Sequence, residues 1–354
     1  MMSDEFAVLL PETDVFSAPR IAKRVIEVLE VAIHLDREQV TIGASIGIAI
    51  YPAHADDAAT LLRRADLAMY AAKRTRSGVC LFAPEHDEPS AERLTLIGSL
   101  CHAIERHQLV LEYQPVADCE TGGVRSLEAL VCWQHLQEGL LLPERFIPFA
   151  EETGLIRPLT RWVLESALQQ CRAWHDAGLQ LAVGVNLSTH DVHDRTLPET
   201  IAQMLAQAGL EPRWLKLELT ESALLVDGET ALSVLARLCE MGCDVAVDDF
   251  GTGYSSLTYL TTLPARQLKI DASFVQAMSH NSREAAVVRS TIELGHTLGL
   301  VVVAEGVEDP CTLGVLRPLG CDQVQGYSLS QPLSGEQVLQ WCLQHDARQQ
   351  RPPA

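Results

Sequence analysis

From residue 94 onward the sequence alternates between short apolar runs and longer amphipathic ones, and this alternation leaves few folds open to the chain. The runs Leu109–Val116, Ser126–Trp133, Leu181–Leu187, Trp214–Leu219, Asp244–Asp248, Gln267–Ile270, Leu300–Ala304 and Asp322–Gly326 read as strands. Helical periodicity fills Leu94–Arg106, Pro158–Ala177, Leu197–Gln207, Glu229–Met241 and Ala285–Leu298. Only a turn through Thr121-Gly122-Gly123 separates the first two strands. That gap is too short for a crossover helix, so the first pair is expected to be antiparallel. Eight strands in about 250 residues is the size of a (β/α)8 barrel. An open doubly wound sheet is the rival, but it would normally offer a Gly-rich first turn, and none of these strands leads into one.

Composition narrows the function. The 354 residues, 47% of them hydrophobic, suit a globular chain of two domains or one large one. A net charge of −20 and no basic stripe argue against a nucleic-acid partner. A phosphate-ester ligand would need local cations to overcome that field. No apolar run approaches the roughly 18–20 residues that span a bilayer, so no membrane span is expected in this chain. No signal peptide is visible. Ten cysteines without a Cys-x-x-Cys pair read as reduced, mostly buried thiols of a cytoplasmic protein. Cys239 and Cys243, one helical turn apart, read as core thiols before metal ligands.

The stretch Asp248-Asp249-Phe250-Gly251-Thr252-Gly253-Tyr254 follows the apolar run Val245-Ala246-Val247. Burying an unpaired carboxylate costs several kcal/mol, and adjacent ones repel, so a divalent cation is the usual compensation. Barrel enzymes place their chemistry at the C-terminal ends of the strands. Near that end stand Glu128, Asn186, Glu218, Asp248, Lys269, Glu305 and Gln325, one from each of seven strands. Their hard oxygen donors suit Mg²⁺ or Mn²⁺, and the lack of His and Cys there argues against zinc. The carboxylates exceed the need of one ion. Two ions sharing a bridging carboxylate would neutralise them and suit in-line displacement at phosphorus. Lys269 then orients the attacking water or offsets charge in the transition state; as a plain structural residue it would be a salt-bridge partner for the aspartate pair.

These residues lie in a series of motifs: Tyr113-Gln114-Pro115, Glu128-Ala129-Leu130, Phe146-Ile147-Pro148 with Ala150-Glu151, Asn186-Leu187-Ser188, Glu218-Leu219-Thr220-Glu221-Ser222, the Asp248–Gly253 stretch, Leu268-Lys269-Ile270-Asp271, Ala304-Glu305-Gly306-Val307-Glu308 and Gln325-Gly326-Tyr327. In that order they resemble the Glu-Ala-Leu (EAL) family of cyclic-di-GMP phosphodiesterases, over roughly residues 94–345. The resemblance implies an α/β fold, a modified (β/α)8 TIM-like barrel with one antiparallel strand. It implies two Mg²⁺ or Mn²⁺ ions, a homodimer, and hydrolysis of cyclic-di-GMP to linear pGpG; Ca²⁺, whose larger and looser shell places a water poorly, is expected to inhibit. By the same resemblance Glu128, Asn186, Glu218 and Asp248 are ligands of the first ion, with Asp248 bridging to the second together with Asp249. Lys269 positions the water, and Glu305 and Gln325 contact the second ion, water or substrate, Glu305 as a possible base. Glu221 anchors the loop Asp249–Ser256, and Gln114 contacts substrate. The family's phosphate-binding arginine, two positions past Glu-Ala-Leu, is Cys132 here. Weaker substrate affinity with chemistry retained is therefore expected, unless His135 or Arg145 compensates. The alternative is a catalytically weak or silent cyclic-di-GMP receptor acting through protein contacts; a third reading is a barrel hydrolase acting on another phosphodiester.

Residues 1–83 read as a partial α/β unit, with strands at Ala7–Leu10, Val40–Tyr51 (paired or bent) and Val79–Phe82, and helices at Pro19–Leu35 and Leu61–Arg74. Ser3–Leu10, Ser45–Ala49 and Arg64–Lys73 resemble the second half of the diguanylate cyclase domain known by its Gly-Gly-Asp-Glu-Phe signature (GGDEF). Met2 and Ser3 replace the paired glycines that permit close approach of backbone to nucleotide, so Asp4 and Glu5 are expected to belong to a structural or regulatory remnant. The expected organisation is a partial, degenerate GGDEF-like segment over 1–83, a linker over 84–93, the barrel over 94–345 and a tail over 346–354.

Overall fold

A computed structural model describes residues 6–349 apart from 12, 30–32, 36–37, 41–42, 75–77, 84–89, 107, 225–227, 253–256 and 280. The chain divides into two compact units, Met1–Leu96 and Ile97–Ala354.

The first unit contains α1 (Ser17–Leu29), β1 (Ile33–Leu35), β2 (Glu38–Val40), β3 (Ile46–Ile48), α2 (Ala58–Arg74) and β4 (Val79–Leu81). β1 and β2 pair antiparallel, while β3 and β4 pair parallel beneath α2. A Cβ on Gly47 of β3 would lie 2.0 Å from the Ala65 carbonyl oxygen, so only glycine allows helix and strand to meet this closely. Two expectations are corrected here. Ala7–Leu10 is not a strand: these residues are irregular and exposed, Leu9 by 83%. No described strand pairs with them, and an extended segment without a ladder partner leaves its peptide groups to water. The first helix ends at Leu29 instead of running to Leu35, because residues 33–35 pair with 38–40. It buries Ala18 and Ala22 and leaves Ile21, Val25 and Leu29 exposed. Asp4 and Glu5 lie outside the described residues.

After α3 (Ser90–Glu105) come β5 (Leu109–Asp118), β6 (Val124–His135), β7 (Gly139–Leu141), α4 (Ile147–Thr153), α5 (Ile156–Asp176), β8 (Ala182–Leu187), α6 (Thr189–Val192), α7 (Leu197–Ala208), β9 (Leu215–Thr220), α8 (Gly228–Met241) and β10 (Asp244–Phe250). The chain continues through α9 (Leu257–Thr262), β11 (Gln267–Ile270), α10 (Ala272–Ala277), α11 (Ser282–Thr297), β12 (Val301–Ala304), α12 (Pro310–Leu316), β13 (Gln323–Gln325), β14 (Leu333–Ser334) and α13 (Gly335–Gln349).

The strands run in the order β14-β5-β13-β12-β11-β10-β9-β8-β6-β7, and β5 also pairs with β6. That last pairing closes an eight-stranded barrel, with β7 and β14 as appendages. β5 is antiparallel to both of its barrel neighbours, and the other barrel pairs are parallel. The α/β barrel with one antiparallel strand, expected above, is the observed fold.

Each strand sends alternate side chains outward to the helices and inward to the barrel axis. Outward, Leu215, Leu217 and Leu219 of β9 and Val183, Val185 and Leu187 of β8 are buried in the layer covered by helices. At roughly 1.5–3 kcal/mol for each fully buried aliphatic side chain, this layer holds the barrel. Inward lie Glu218 and Gly184, at the positions between those apolar residues. Among the described residues no helix is long and apolar enough to cross a membrane.

Candidate active site

The barrel register decides which inward residues meet. Gln114 of β5 is paired with Glu128 of β6, Glu128 with Gly184 of β8, and Asn186 of β8 with Glu218 of β9. A Cβ on Gly184 would sit 2.2 Å from Glu218 Oε1. The missing side chain is what lets the Glu218 carboxylate lean over β8 toward Glu128.

Lys269 of β11 stands at the centre of the cluster and is 2% exposed. Its Nζ lies 2.7 Å from Glu305 Oε1, 3.1 Å from Glu128 Oε2 and 3.3 Å from Asp248 Oδ2, and it donates a still shorter bond to Glu218 Oε2. Glu128 also accepts from Asn186 Nδ2 at 2.7 Å and from Gln325 Nε2 at 2.7 Å. Gln325 Nε2 bonds Gln114 Oε1 at 3.0 Å, and Gln114 in turn donates to the Ser330 carbonyl. The structure therefore brings together eight of the expected site residues, seven from barrel strands and Glu305 from the position just after β12: Gln114, Glu128, Asn186, Glu218, Asp248, Lys269, Glu305 and Gln325.

One ammonium faces four carboxylates. Burial disfavours the charged form of Lys269, yet Asp248, Glu128, Glu218 and Glu305 together hold its pKa well above the usual range. The carboxylates share too little positive charge. Burial, opposed by Lys269 but reinforced by Glu128 and Asp248, pushes Glu218 up to about 7. Burial likewise raises Asp248 and Glu305 against the pull of Lys269. Glu128 alone is shifted downward, because Lys269, Gln325 and Asn186 outweigh its burial.

Asp249 joins the same site by an irregularity. Consecutive strand residues point to opposite faces, so two adjacent aspartates should not both reach one centre. The pairing of β10 with β11 slips between Val247 and Phe250, and Asp249 adopts φ +54°, the only positive φ among described non-glycine residues. A bulge with a left-handed residue turns the chain at a cost of order 1–3 kcal/mol, a strain typical of functional sites. As a result carboxylate oxygens of Asp248, Asp249 and Glu305 lie within 4.8 Å of one another, as do those of Glu128, Glu218 and Asp248. The two acidic groups meet at Asp248.

Asp249 is raised to about 6 by burial, by Asp248 and by Asp271. Asp271 was not among the expected site residues. Its carboxyl caps α10 by accepting from Ser273 N at 2.9 Å, and it also faces Asp249. The signal for it was its place in the Leu268-Lys269-Ile270-Asp271 motif, two residues past Lys269. Glu221 begins the 3-10 turn after β9 and is buried, but it is not one of the carboxylates on Lys269. The loop it was expected to anchor lies partly outside the described residues.

Cys132 is 2% exposed, and burial, with Glu112 nearby, pushes its thiol up to about 11. It stays neutral and offers no charge to a phosphate. The two candidate substitutes are engaged elsewhere: His135 Nδ1 accepts from the Glu138 amide at 3.2 Å, and Arg145 Nη2 lies 3.4 Å from Glu138 Oε2. Cys239 Sγ donates to the Pro264 carbonyl, and burial raises the Cys243 thiol to about 12, so both behave as core thiols.

The donor set fits divalent cations of the magnesium class. It consists of carboxylate and amide oxygens without imidazole or thiolate. Its charge is left largely uncompensated by Lys269, and the Gln325 Oε1 atom is buried without a hydrogen-bond partner.

The EAL domain profile matches residues 97–332. The chain belongs to the EAL domain family. A second profile, the GGDEF domain of diguanylate cyclases, matches residues 1–78. The chain is 41% identical over 338 residues to the bifunctional diguanylate cyclase/cyclic di-GMP phosphodiesterase MucR of Pseudomonas aeruginosa, covering 95% of this chain and 49% of that one. It is 38% identical over 339 residues to the cyclic di-GMP phosphodiesterase PdeR of Escherichia coli, covering 96% and 51%. The chain thus spans about half the length of these curated relatives. A solved structure titled as the MucR phosphodiesterase in complex with c-di-GMP shares 43% identity and covers 69% of this chain and 99% of its own, with a TM-score of 0.67.

Proposed function

We propose that this EAL-family chain hydrolyses cyclic-di-GMP to linear pGpG in the cytoplasm, with two Mg²⁺ or Mn²⁺ ions. The observation that carries the reading is the pair of acidic groups sharing Asp248 around a fully buried lysine. Glu128, Asn186, Glu218 and Asp248 would hold one ion, and Asp248 with Asp249 the other. Bound there, the pair supplies Lewis acidity at the phosphoryl oxygens and acidifies a water.

The chain's own groups complete the site. Lys269 places positive charge where charge develops on phosphorus, and it holds four carboxylates in fixed orientation. Glu305, whose pKa burial raises above the usual carboxylate range against the pull of Lys269, can take up and return a proton beside that lysine. Gln325 and Gln114 form a hydrogen-bonded pair that can orient a phosphate or a guanine edge. We assign residues 94–345 to the catalytic unit and 1–83 to a regulatory remnant, and we expect a homodimer.

Incubation with cyclic-di-GMP and Mn²⁺, followed by chromatography for pGpG, tests the reading. Product formation that disappears in Lys269→Ala supports it. A second reading, a silent receptor, is favoured by the neutral, buried Cys132; a chain that binds the dinucleotide and releases no pGpG selects that reading.

A further inference from the structure

Glu128, Glu218, Lys269 and Gln325 meet as one layer of the barrel interior, and they come from alternate strands, β6, β9, β11 and β13. Side chains two residues apart on a strand share a face. The next layer toward the N-terminal ends of these strands is therefore Ser126, Lys216, Gln267 and Gln323. Gln267 Nε2 donates to Gln323 Oε1 at 3.4 Å, as two members of one layer should. Ser126 is 3%, Lys216 7% and Gln267 8% exposed. The strands between add small residues here: Gly184 of β8 is paired with Lys216, and Ala246 of β10 with Gln267.

Interior layers of such barrels are ordinarily filled by Val, Ile and Leu, and a buried ammonium is costly unless it is paired. Among the described residues Lys216 has neither an ion-pair nor a hydrogen-bond partner. The two acids that act on it at longer range are engaged by other cations: Glu218 Oε2 accepts from Lys269, and Asp244 Oδ1 lies 3.3 Å from Arg266 Nη1. Ser126 Oγ likewise makes no hydrogen bond among the described residues. The Gln323 amide oxygen takes the bond from Gln267, which leaves its NH2 group to donate. One layer thus holds an ammonium, a hydroxyl and an amide NH2 as donors, and no carboxylate.

We propose that this layer is a binding site for a halide ion, held by Lys216 Nζ with Ser126 Oγ and Gln323 Nε2 as further donors. The charge of the ligand follows from the surroundings. One ammonium balances one negative charge, and the carboxylates of the neighbouring layer disfavour a second, so phosphate and sulfate are the wrong class. The size follows from the position. The ion must fit between side chains on the barrel axis, where Gly184 and Ala246 leave the most room. A bound halide joins β6, β9 and β13 beneath the carboxylates and should stabilise the fold by mass action.

Crystals of the full-length chain soaked in sodium bromide test this directly. An anomalous bromide peak at hydrogen-bond distance from Lys216 Nζ is the expected result. A map with no bromide at that ammonium would overturn the proposal. Selenate, a divalent oxyanion with its own anomalous signal, should leave no peak there, and a selenate peak would overturn the assignment to a halide. In solution, exchanging gluconate for bromide at constant ionic strength should raise the melting temperature of the wild type by about 2–4 °C. Lys216→Met, which keeps the length of the side chain without its charge, should lose that rise. An equal rise in the variant would show that bromide acts elsewhere and sink the site; should the variant fail to fold, the bromide map of the wild type decides alone.

Discussion

Three residues carry most of the site. Lys269 is the only positive charge touching Glu128, Glu218, Asp248 and Glu305 among the described residues. Its replacement by alanine should lower kcat roughly 10²–10³-fold, as loss of a preorganised electrostatic group does, with the fold retained by circular dichroism. Gly184 matters through what it lacks. Gly184→Ala would drive a methyl into Glu218 Oε1 and should weaken Mn²⁺ binding about 10–100-fold by isothermal titration, the range seen when a ligand's support is disturbed. Cys132 brings no charge to the rim. Cys132→Arg should lower KM about tenfold, as one charge-assisted bond to phosphate does, with kcat within about twofold; an unchanged KM would show that this position does not contact substrate.

At the scale of elements, caps and one bulge place these residues. The Asp309 side chain accepts from Cys311 N at 2.8 Å and Thr312 N at 3.0 Å, ending the segment that carries Glu305 and starting α12. Asp309→Ala should cost about 1 kcal/mol in urea unfolding, a typical cap loss, and leave metal binding alone. The cap is readable from an Asp-Pro pair before a helical run, and the strands of the barrel were readable from their length and apolar content. The bulge in β10 was not. Nothing in Val245–Phe250 marks Asp249 as left-handed, because that conformation is imposed by the pairing with β11 and not by the residue's own preference. The first unit shows the converse. Ala7–Leu10 has strand composition but no described neighbour to pair with, and strand propensity without a partner strand does not make a sheet.

For the whole molecule, the site is a store of uncompensated negative charge inside a chain of net charge −20. Glu218 near 7 and Asp249 near 6 are both raised above ordinary carboxylate values. Without metal they favour the folded state most where they are protonated. That contribution is complete below the unfolded-state pKa and is lost as pH rises through about 6 to 7. A divalent ion needs the same groups ionised, so its stabilisation must grow over the same window. The rise in melting temperature produced by Mn²⁺ over chelator should therefore be larger at pH 8 than at pH 6. Ca²⁺ should also stabilise the chain but depress pGpG formation against Mg²⁺, because its larger and looser shell places a water poorly. If Ca²⁺ supported turnover equal to Mg²⁺, the two-ion reading would fail.

Order of elements, barrel class and the identity of the rim residues were set by local sequence. Strand and helix periods, turn lengths and the oxygen chemistry of Glu128, Asn186, Glu218 and Asp248 are properties of neighbouring residues. Tertiary structure decided what those residues meet. Barrel closure through β5 and β6 places Lys269 against three carboxylates from other strands and a fourth, Glu305, just after β12. The same closure buries Cys132. Such contacts depend on register between strands distant in sequence, and no local period encodes that register.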